Sequence, residues 1–165
     1  MRILGLDPGS RHTGYGLIRR RGDRIELLAH GRLSPPQGLD LPARLGWLGV
    51  RLAESLPQWQ PEVAVLETPY LGLNPRSLVV LAQARGALLG ALAGAGISVS
   101  EYSPAEIKNA VTGSGRADKR QVARMVALQL ADVPPDASAD ATDALAVALC
   151  YSHRSRLDRL TAGSR

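Results

Sequence analysis

The sequence contains no phenylalanine, a single cysteine and only two lysines among its 20 basic residues. One cysteine, Cys150, excludes both an internal disulfide framework and a cysteine-rich zinc site. A coding bias explains the scarcity of Lys and Phe in the bulk of the chain. Lysine and arginine are nevertheless not interchangeable where a compact charge must approach a phosphate, so Lys108 and Lys119 are candidates for that role.

Neither a signal-peptide pattern nor an uninterrupted membrane span is visible. The first strand-like residues follow Arg2 directly, without the charged, apolar and cleavage-site order of a leader. Residues 77–99 are rich in Leu, Val, Ala and Gly, but Gln83 and Arg85 interrupt them, which favours a buried helix. We therefore expect a cytoplasmic location.

Length and charge indicate one domain with an anionic partner. The 165 residues suffice for one sizeable core, and the 45% hydrophobic and 21% charged content is ordinary for a globular protein. The net charge of +5 makes a polyanion a plausible ligand, although many basic proteins bind no nucleic acid. We expect a single domain over residues 1–153 and a loose basic tail over residues 154–165.

The order of elements predicts an α/β fold with a mixed sheet. Apolar runs between turn signals indicate five strands, at residues 2–7, 13–20, 24–33, 62–67 and 97–102. Helical spacing indicates five helices, at residues 40–57, 77–95, 104–111, 118–131 and 138–153, with Ser77, Ser103 and Ser138 as caps. Such an order predicts a mixed five-stranded sheet with helices on its faces.

Two acids end predicted strands. Asp7 ends the first strand before a Pro8–Gly9 turn, where proline cannot donate to a ladder and glycine accepts positive φ. Glu67 ends the strand at 62–67. A strand that follows a crossover helix usually lies parallel to one already in the sheet, so both acids should meet at one edge.

Asp140 and Asp143 add two carboxylates on one face at the start of the last helix. Taken singly, each of these acids is more often a cap or a solvated side chain. Four converging acids would repel one another unless cations lay between them, and hard oxygen ligands suit Mg²⁺ or Mn²⁺. Two such ions can clamp an in-line phosphoryl displacement.

Gly86, Gly90 and Gly94 lie on one face of the helix at 77–95. Each costs roughly 1 kcal/mol of helix propensity relative to alanine. Close approach of another backbone would compensate, either from the sheet or from a second subunit.

Five separated motifs together resemble the RuvC family of Holliday junction resolvases over nearly the whole chain, to about residue 153: ILGLDPGSRHTGYG, VAVLETPY, QARGALLGAL, EIKNAVTGSGRADKRQV and DATDALAVAL. The resemblance implies a ribonuclease H-like fold, a homodimer formed through the glycine-bearing helix, and metal-dependent endonuclease action. It also implies symmetric nicks in two strands of a four-way DNA junction, and partnership with the RuvA–RuvB branch-migration machinery.

The same resemblance assigns roles to individual residues. Asp7, Glu67, Asp140 and Asp143 resemble the family's four metal-binding acids, which hold Mg²⁺ or Mn²⁺, two per site with DNA bound. Lys108 and Lys119 resemble its two basic residues near the cleaved phosphate, and Tyr70 resembles its aromatic residue beside the scissile strand, usually Phe. Arg76 lies in the same loop as Tyr70 and is a candidate DNA contact without a family counterpart.

Three other functions remain open at this point. A different ribonuclease H-like nuclease, such as the YqgF-like group, shares the first strand and turn but fits IKNAVTGSGRADK poorly. An actin-like ATPase or sugar kinase needs two such lobes, for which 165 residues are too few. A junction-binding protein that does not cut is the third, although all four acids are present.

Overall fold

The computed structural model describes residues 1–69, 74–130 and 132–162. Its strands are β1 (Arg2–Asp7), β2 (Thr13–Arg21), β3 (Arg24–Leu33), β4 (Val63–Glu67) and β5 (Ser98–Tyr102). Its helices are α1 (Leu41–Trp59), α2 (Pro75–Gly94), α3 (Pro104–Thr112), α4 (Lys119–Gln129) and α5 (Ala139–Ala162).

The five strands form one mixed sheet, as the sequence predicts, and their order in the sheet is β3-β2-β1-β4-β5. β1, β2 and β3 are joined by hairpins and run antiparallel, whereas β4 lies parallel to β1 and β5 parallel to β4. Leu6 of β1 pairs with Leu66 of β4, so Asp7 and Glu67 follow at the same edge. The predicted meeting of the two strand ends is confirmed.

Helices cover both faces of the sheet because the strands alternate their apolar residues. Leu4, Leu6 and Leu66 point to one side and pack with α1 and α2. Ile3 and Val65 point to the other side and pack with α3, α4 and α5. Helix α5 is the most deeply buried of these, since Ala144 through Cys150 are each at most 1% exposed.

Several helix boundaries differ from the predicted ones, and the start of α2 and the end of α5 are the two that bear on the site. Helix α2 begins at Pro75, because the Asn74 side chain accepts a hydrogen bond from the Ser77 N–H at 2.9 Å and acts as the cap that we assigned to Ser77. Proline at the first helical position carries the right φ and needs no donor. Helix α5 continues to Ala162, beyond the predicted end at residue 153.

Helix α2 is buried on one face only, although the sequence favours a buried helix. Its buried residues are Ala84, Arg85, Leu88 and Leu92. In the described part of the chain it is also the one helix with the length and composition of a membrane span. Leu88 and Leu92 are instead fully buried in the core beneath the sheet.

Candidate active site

The β1–β2 turn presents Asp7 at the sheet edge. The Thr13 hydroxyl donates to the Gly9 carbonyl at 2.9 Å, which closes the turn. A Cβ atom on Gly9 would lie 2.3 Å from the His12 carbonyl oxygen. Gly9 is therefore required because no side chain fits there. The expected positive φ at Gly9 is wrong, since its φ is not among the positive ones.

Helix α5 brings two more acids to this edge because it lies unusually close to the sheet. A Cβ atom on Gly14, the β2 partner of Asp7, would lie 1.9 Å from the Asp140 carbonyl oxygen. One on Gly5 would lie 2.0 Å from the Ala144 carbonyl oxygen. Any side chain at either position would push the helix away, so these glycines set the depth at which Asp140 approaches Asp7.

Asp7, Glu67 and Asp143 line one cleft of about 550 Å³, together with Lys108 and Lys119. Lys108 comes from α3 and Lys119 from the first position of α4, where Asp118 caps the helix. Asp140 lies beside this group and forms an ion pair with Arg32 of β3 at 3.5 Å. The fold thus brings together six of the eight residues that the sequence singles out.

The acids perturb one another. Burial, followed by the negative charges of Asp143, Glu67 and Asp140, raises the pKa of Asp7 to about 7, while the positive charge of Lys119 opposes this shift. Burial, then Asp143, also raises the pKa of Glu67. Both carboxyls therefore lie in surroundings that favour a proton or another positive charge.

Lys119 supplies part of that positive charge. Its ammonium donates to the Asp143 carboxylate at 3.1 Å, and this hydrogen bond is the main reason that its pKa is raised. The Lys119 side chain is 84% exposed. An exposed pair of this kind contributes about 0–1 kcal/mol, so Lys119 is held only weakly to Asp143.

The donor set fits a hard divalent cation in its chemistry. Carboxylate oxygens without His or Cys are the ligands that Mg²⁺ and Mn²⁺ prefer, and the raised pKa values of Asp7 and Glu67 indicate excess negative charge. Among the described residues, no three acidic, His or Cys side chains lie close enough together to form a metal chelate. Lys119 and Arg32 instead hold Asp143 and Asp140 in ion pairs.

The two remaining predicted residues lie apart. Arg76 is the second residue of α2 and is exposed, and it lines a shallow groove of about 390 Å³ with Gly9 and Ser10 of the β1–β2 turn. Tyr70 lies outside the described residues.

Sequence reasoning missed Arg32 and Arg85, which contact the acids or their backbone. Arg32 pairs with Asp140, and Arg85 donates to the Glu67 carbonyl oxygen at 2.7 Å. The chain contains many arginines, so nothing distinguishes these two by residue type, and the residues that they contact are distant in sequence. No local pattern marked either residue.

Comparison with known proteins identifies relatives over the full length. The family model described as "Crossover junction endodeoxyribonuclease RuvC" matches residues 3–151. A protein of that name from Geobacter sp. (strain M21) is 42% identical over 165 residues, which is 100% of both chains. Another, from Hyphomonas neptunium, is 45% identical over 153 residues, covering 93% of this chain and 91% of its own.

A solved structure is similar as well. "T. thermophilus RuvC in complex with Holliday junction substrate" superposes with a TM-score of 0.89 at 30% identity. The match covers 96% of each chain.

Proposed function

The chain belongs to the RuvC family of crossover junction endodeoxyribonucleases and is a DNA-cleaving hydrolase that resolves Holliday junctions; we propose that it cuts at the cleft of Asp7, Glu67 and Asp143, with Asp140 as the fourth acid. Support comes from one observation above all: three carboxylates from three separate elements face one cleft that also holds two lysines. Capping or solubility alone would not collect acids from β1, β4 and α5 at one point.

Asp7, Glu67, Asp140 and Asp143 would hold Mg²⁺ or Mn²⁺, two per site with DNA bound. Such ions, when bound, supply the positive charge that activates water and stabilises the leaving 3′ oxygen. Because the pKa of Asp7 is raised to about 7, its carboxyl is only partly ionised near neutral pH, and positive charge bound beside it would favour the ionised form. Glu67 behaves in the same direction.

The basic residues would bind the DNA around this cleft. Lys119 exchanges Asp143 for the scissile phosphate, which its weak, exposed ion pair permits. Lys108 brings a second positive charge to the same cleft. Arg76, which lines the neighbouring groove, would contact the DNA backbone there. Tyr70 would stack on a base beside the cut.

Two copies of the chain would pair through the exposed face of α2. A Cβ atom on Gly86, Gly90 or Gly94 would meet no described atom of this chain within 4 Å. Close approach of the sheet therefore does not explain these glycines. Close approach of a second subunit is the other explanation that the sequence offers, and it is the one that we propose. A two-fold axis there presents two active sites to two like strands, as symmetric paired nicks require.

We propose the RuvA–RuvB complex as a partner, which membership of the family implies, and the cytoplasm as the location. Residues 1–153 would form the nuclease unit, and residues 154–165 a basic extension that helps to hold DNA.

The proposed function is tested by nicking of a synthetic four-way junction, with linear duplex as the control substrate and with Mg²⁺, Mn²⁺ or EDTA. We expect paired nicks across the junction only, and only with metal. Equal cutting of linear duplex would indicate a general ribonuclease H-like nuclease. Binding without cutting in every metal would indicate a junction-binding protein that has no nuclease activity.

A further inference from the structure

Arg85 is a buried arginine with two fixed partners. Its side chain is 9% exposed and projects from the inner face of α2. One guanidinium nitrogen donates to the Glu67 main-chain carbonyl oxygen at 2.7 Å, and the other donates to the Glu101 carboxylate of β5. Burying a charged guanidinium is costly unless its hydrogen bonds are satisfied, so Arg85 holds both partners firmly.

The carbonyl that Arg85 binds lies where the sheet opens. The parallel ladder between β1 and β4 ends at Leu6 and Leu66, one residue before Glu67. On the other side, the Thr68 N–H donates to the Tyr102 carbonyl oxygen at 2.8 Å. Arg85 therefore supplies a donor to the β4 backbone just beyond its last pairing with β1.

Packing alone does not fix this backbone. Arg85, Glu67 and Asp7 border a cavity of about 190 Å³ between α2 and the sheet edge. Because the backbone borders an open space on this side, the hydrogen bond from Arg85 restrains it where packed side chains do not.

Arg85 acts from the face of the sheet opposite the cleft. Leu66 points into the core beneath α1 and α2, so Glu67, the next residue, points to the other side, where Asp143 lies. Arg85 reaches Glu67 through the main chain only. It is thus a positioning residue and not a catalytic one.

We propose that Arg85 fixes the Glu67 carboxylate by clamping its carbonyl and Glu101 to α2, which makes the geometry of the cleavage site depend on how α2 is seated. This inference rests on the proposed role of Glu67. The next residue in α2, Gly86, belongs to the open face assigned to the second subunit. Pairing of two chains would therefore seat the same helical turn that holds Glu67 in place.

The test compares Arg85→Met and Arg85→Lys with Arg20→Met. Arg20 is an equally buried arginine, 8% exposed, that donates to the carbonyls of Gly22 and Ser152 at the other end of β2 from the cleft. Both substitutions remove a buried arginine, but only Arg85 contacts Glu67, so the comparison separates a general loss of stability from an effect on Glu67. Four quantities are measured: melting temperature, junction affinity in EDTA, the single-turnover nicking rate of bound junction, and Mn²⁺ binding by electron paramagnetic resonance.

For Arg85→Met we expect nicking to slow by about 10- to 100-fold, the scale of a small misplacement at a reacting centre. Mn²⁺ binding should weaken by about 10-fold or more, as for other losses of support behind a ligand. Junction affinity in EDTA should stay within about twofold, because Arg85 faces away from the cleft. Arg85→Lys should recover part of both losses, since an ammonium reaches one of the two acceptors.

For Arg20→Met we expect a lower melting temperature with normal nicking and Mn²⁺ binding well below that temperature. An Arg85→Met protein with normal nicking and Mn²⁺ binding would overturn the positioning role, as would equal losses in Arg20→Met. If Arg85→Met does not fold, Arg85→Lys is judged by the same two readouts. A native chain that never nicks the junction would instead overturn the proposed site.

Discussion

On the α5 side of the sheet, a Cβ atom added to Gly14 would lie 1.9 Å from the Asp140 carbonyl oxygen, whereas one added to Gly86 on the outer face of α2 would meet no described atom within 4 Å. Gly14 is needed for a contact within the chain, because it lets α5 lie close enough to β2 to bring its acids to the sheet edge. Gly86 makes no such close contact within the described chain and lies on an exposed helix surface. Glycines thus separate a face that builds the active site from a face left open for a partner.

The largest effect should come from Asp7→Asn, which keeps the shape of the side chain on the α5 side but removes its ligating charge. We expect nicking to fall by about a thousandfold or more, the scale for a residue that acts within a catalytic unit. Junction affinity in EDTA should be largely unchanged. Both are measured on the synthetic four-way junction, and near-normal nicking would remove Asp7 from the site.

Gly14→Ala tests the crowded glycine itself. The added methyl group would overlap the Asp140 carbonyl oxygen of α5, so either β2 or α5 must move. We expect a loss of unfolding free energy on the order of 3 kcal/mol, as for overpacking of a tight core, together with slower nicking. Urea denaturation measures the first effect; a variant as stable as the native chain would show that α5 shifts without cost.

The clustered acids should also make stability depend on pH. The pKa of Asp7 is raised to about 7 in the folded chain, from 3.8 when exposed, so the folded state binds its proton more tightly. The associated stability is fully present below about pH 4 and is lost as the pH rises through about 7. In EDTA, Asp7→Asn should gain over the native chain by on the order of 3 kcal/mol at pH 8.

At pH 4 the same comparison should show little gain, because both side chains are then neutral. Urea unfolding at the two pH values provides the measurement. A gain that is equal at pH 4 and pH 8 would mean that the substitution acts through packing and not through charge.

Lys119→Ala should affect catalysis more than folding. Its ion pair with Asp143 is exposed, so we expect a change of less than about 1 kcal/mol in unfolding free energy. Nicking should slow by about 100-fold, typical for loss of one group that stabilises developing charge. Lys108→Ala, which removes the other lysine of the same cleft, is the matched comparison. If Lys119→Ala nicked at the native rate but had a lower melting temperature, Lys119 would have a structural role only.

The sequence was sufficient for whatever depends on the order of the elements. Asp7 and Glu67 could be placed together because a crossover helix makes their strands parallel, and the Asp140–Asp143 spacing puts both on one helix face. Contacts that depend on distant backbone were out of reach: nothing local to Gly14 announces the Asp140 carbonyl, and nothing local to Arg85 announces the carbonyl of Glu67.

Glycine shows the limit most directly. Sequence alone left two explanations for Gly86, Gly90 and Gly94, the sheet or a second subunit, and gave the wrong reason for Gly9. Only the positions of neighbouring atoms distinguish a glycine needed for close approach from one needed for φ or for a partner. Local patterns carry no information about those neighbours.

The smallest expected effect, that of Gly86→Ala, is informative through its sign. If the outer face of α2 met only solvent, alanine would stabilise the helix by about 0.5–1 kcal/mol, since its methyl group finds open space. If a second chain packs there, the same methyl group enters the interface and weakens the dimer. Urea unfolding at protein concentrations below and above dissociation should therefore show a gain in the dilute sample and a loss in the concentrated one. A gain at both concentrations would mean that the outer face of α2 meets only solvent and that no second chain packs on it.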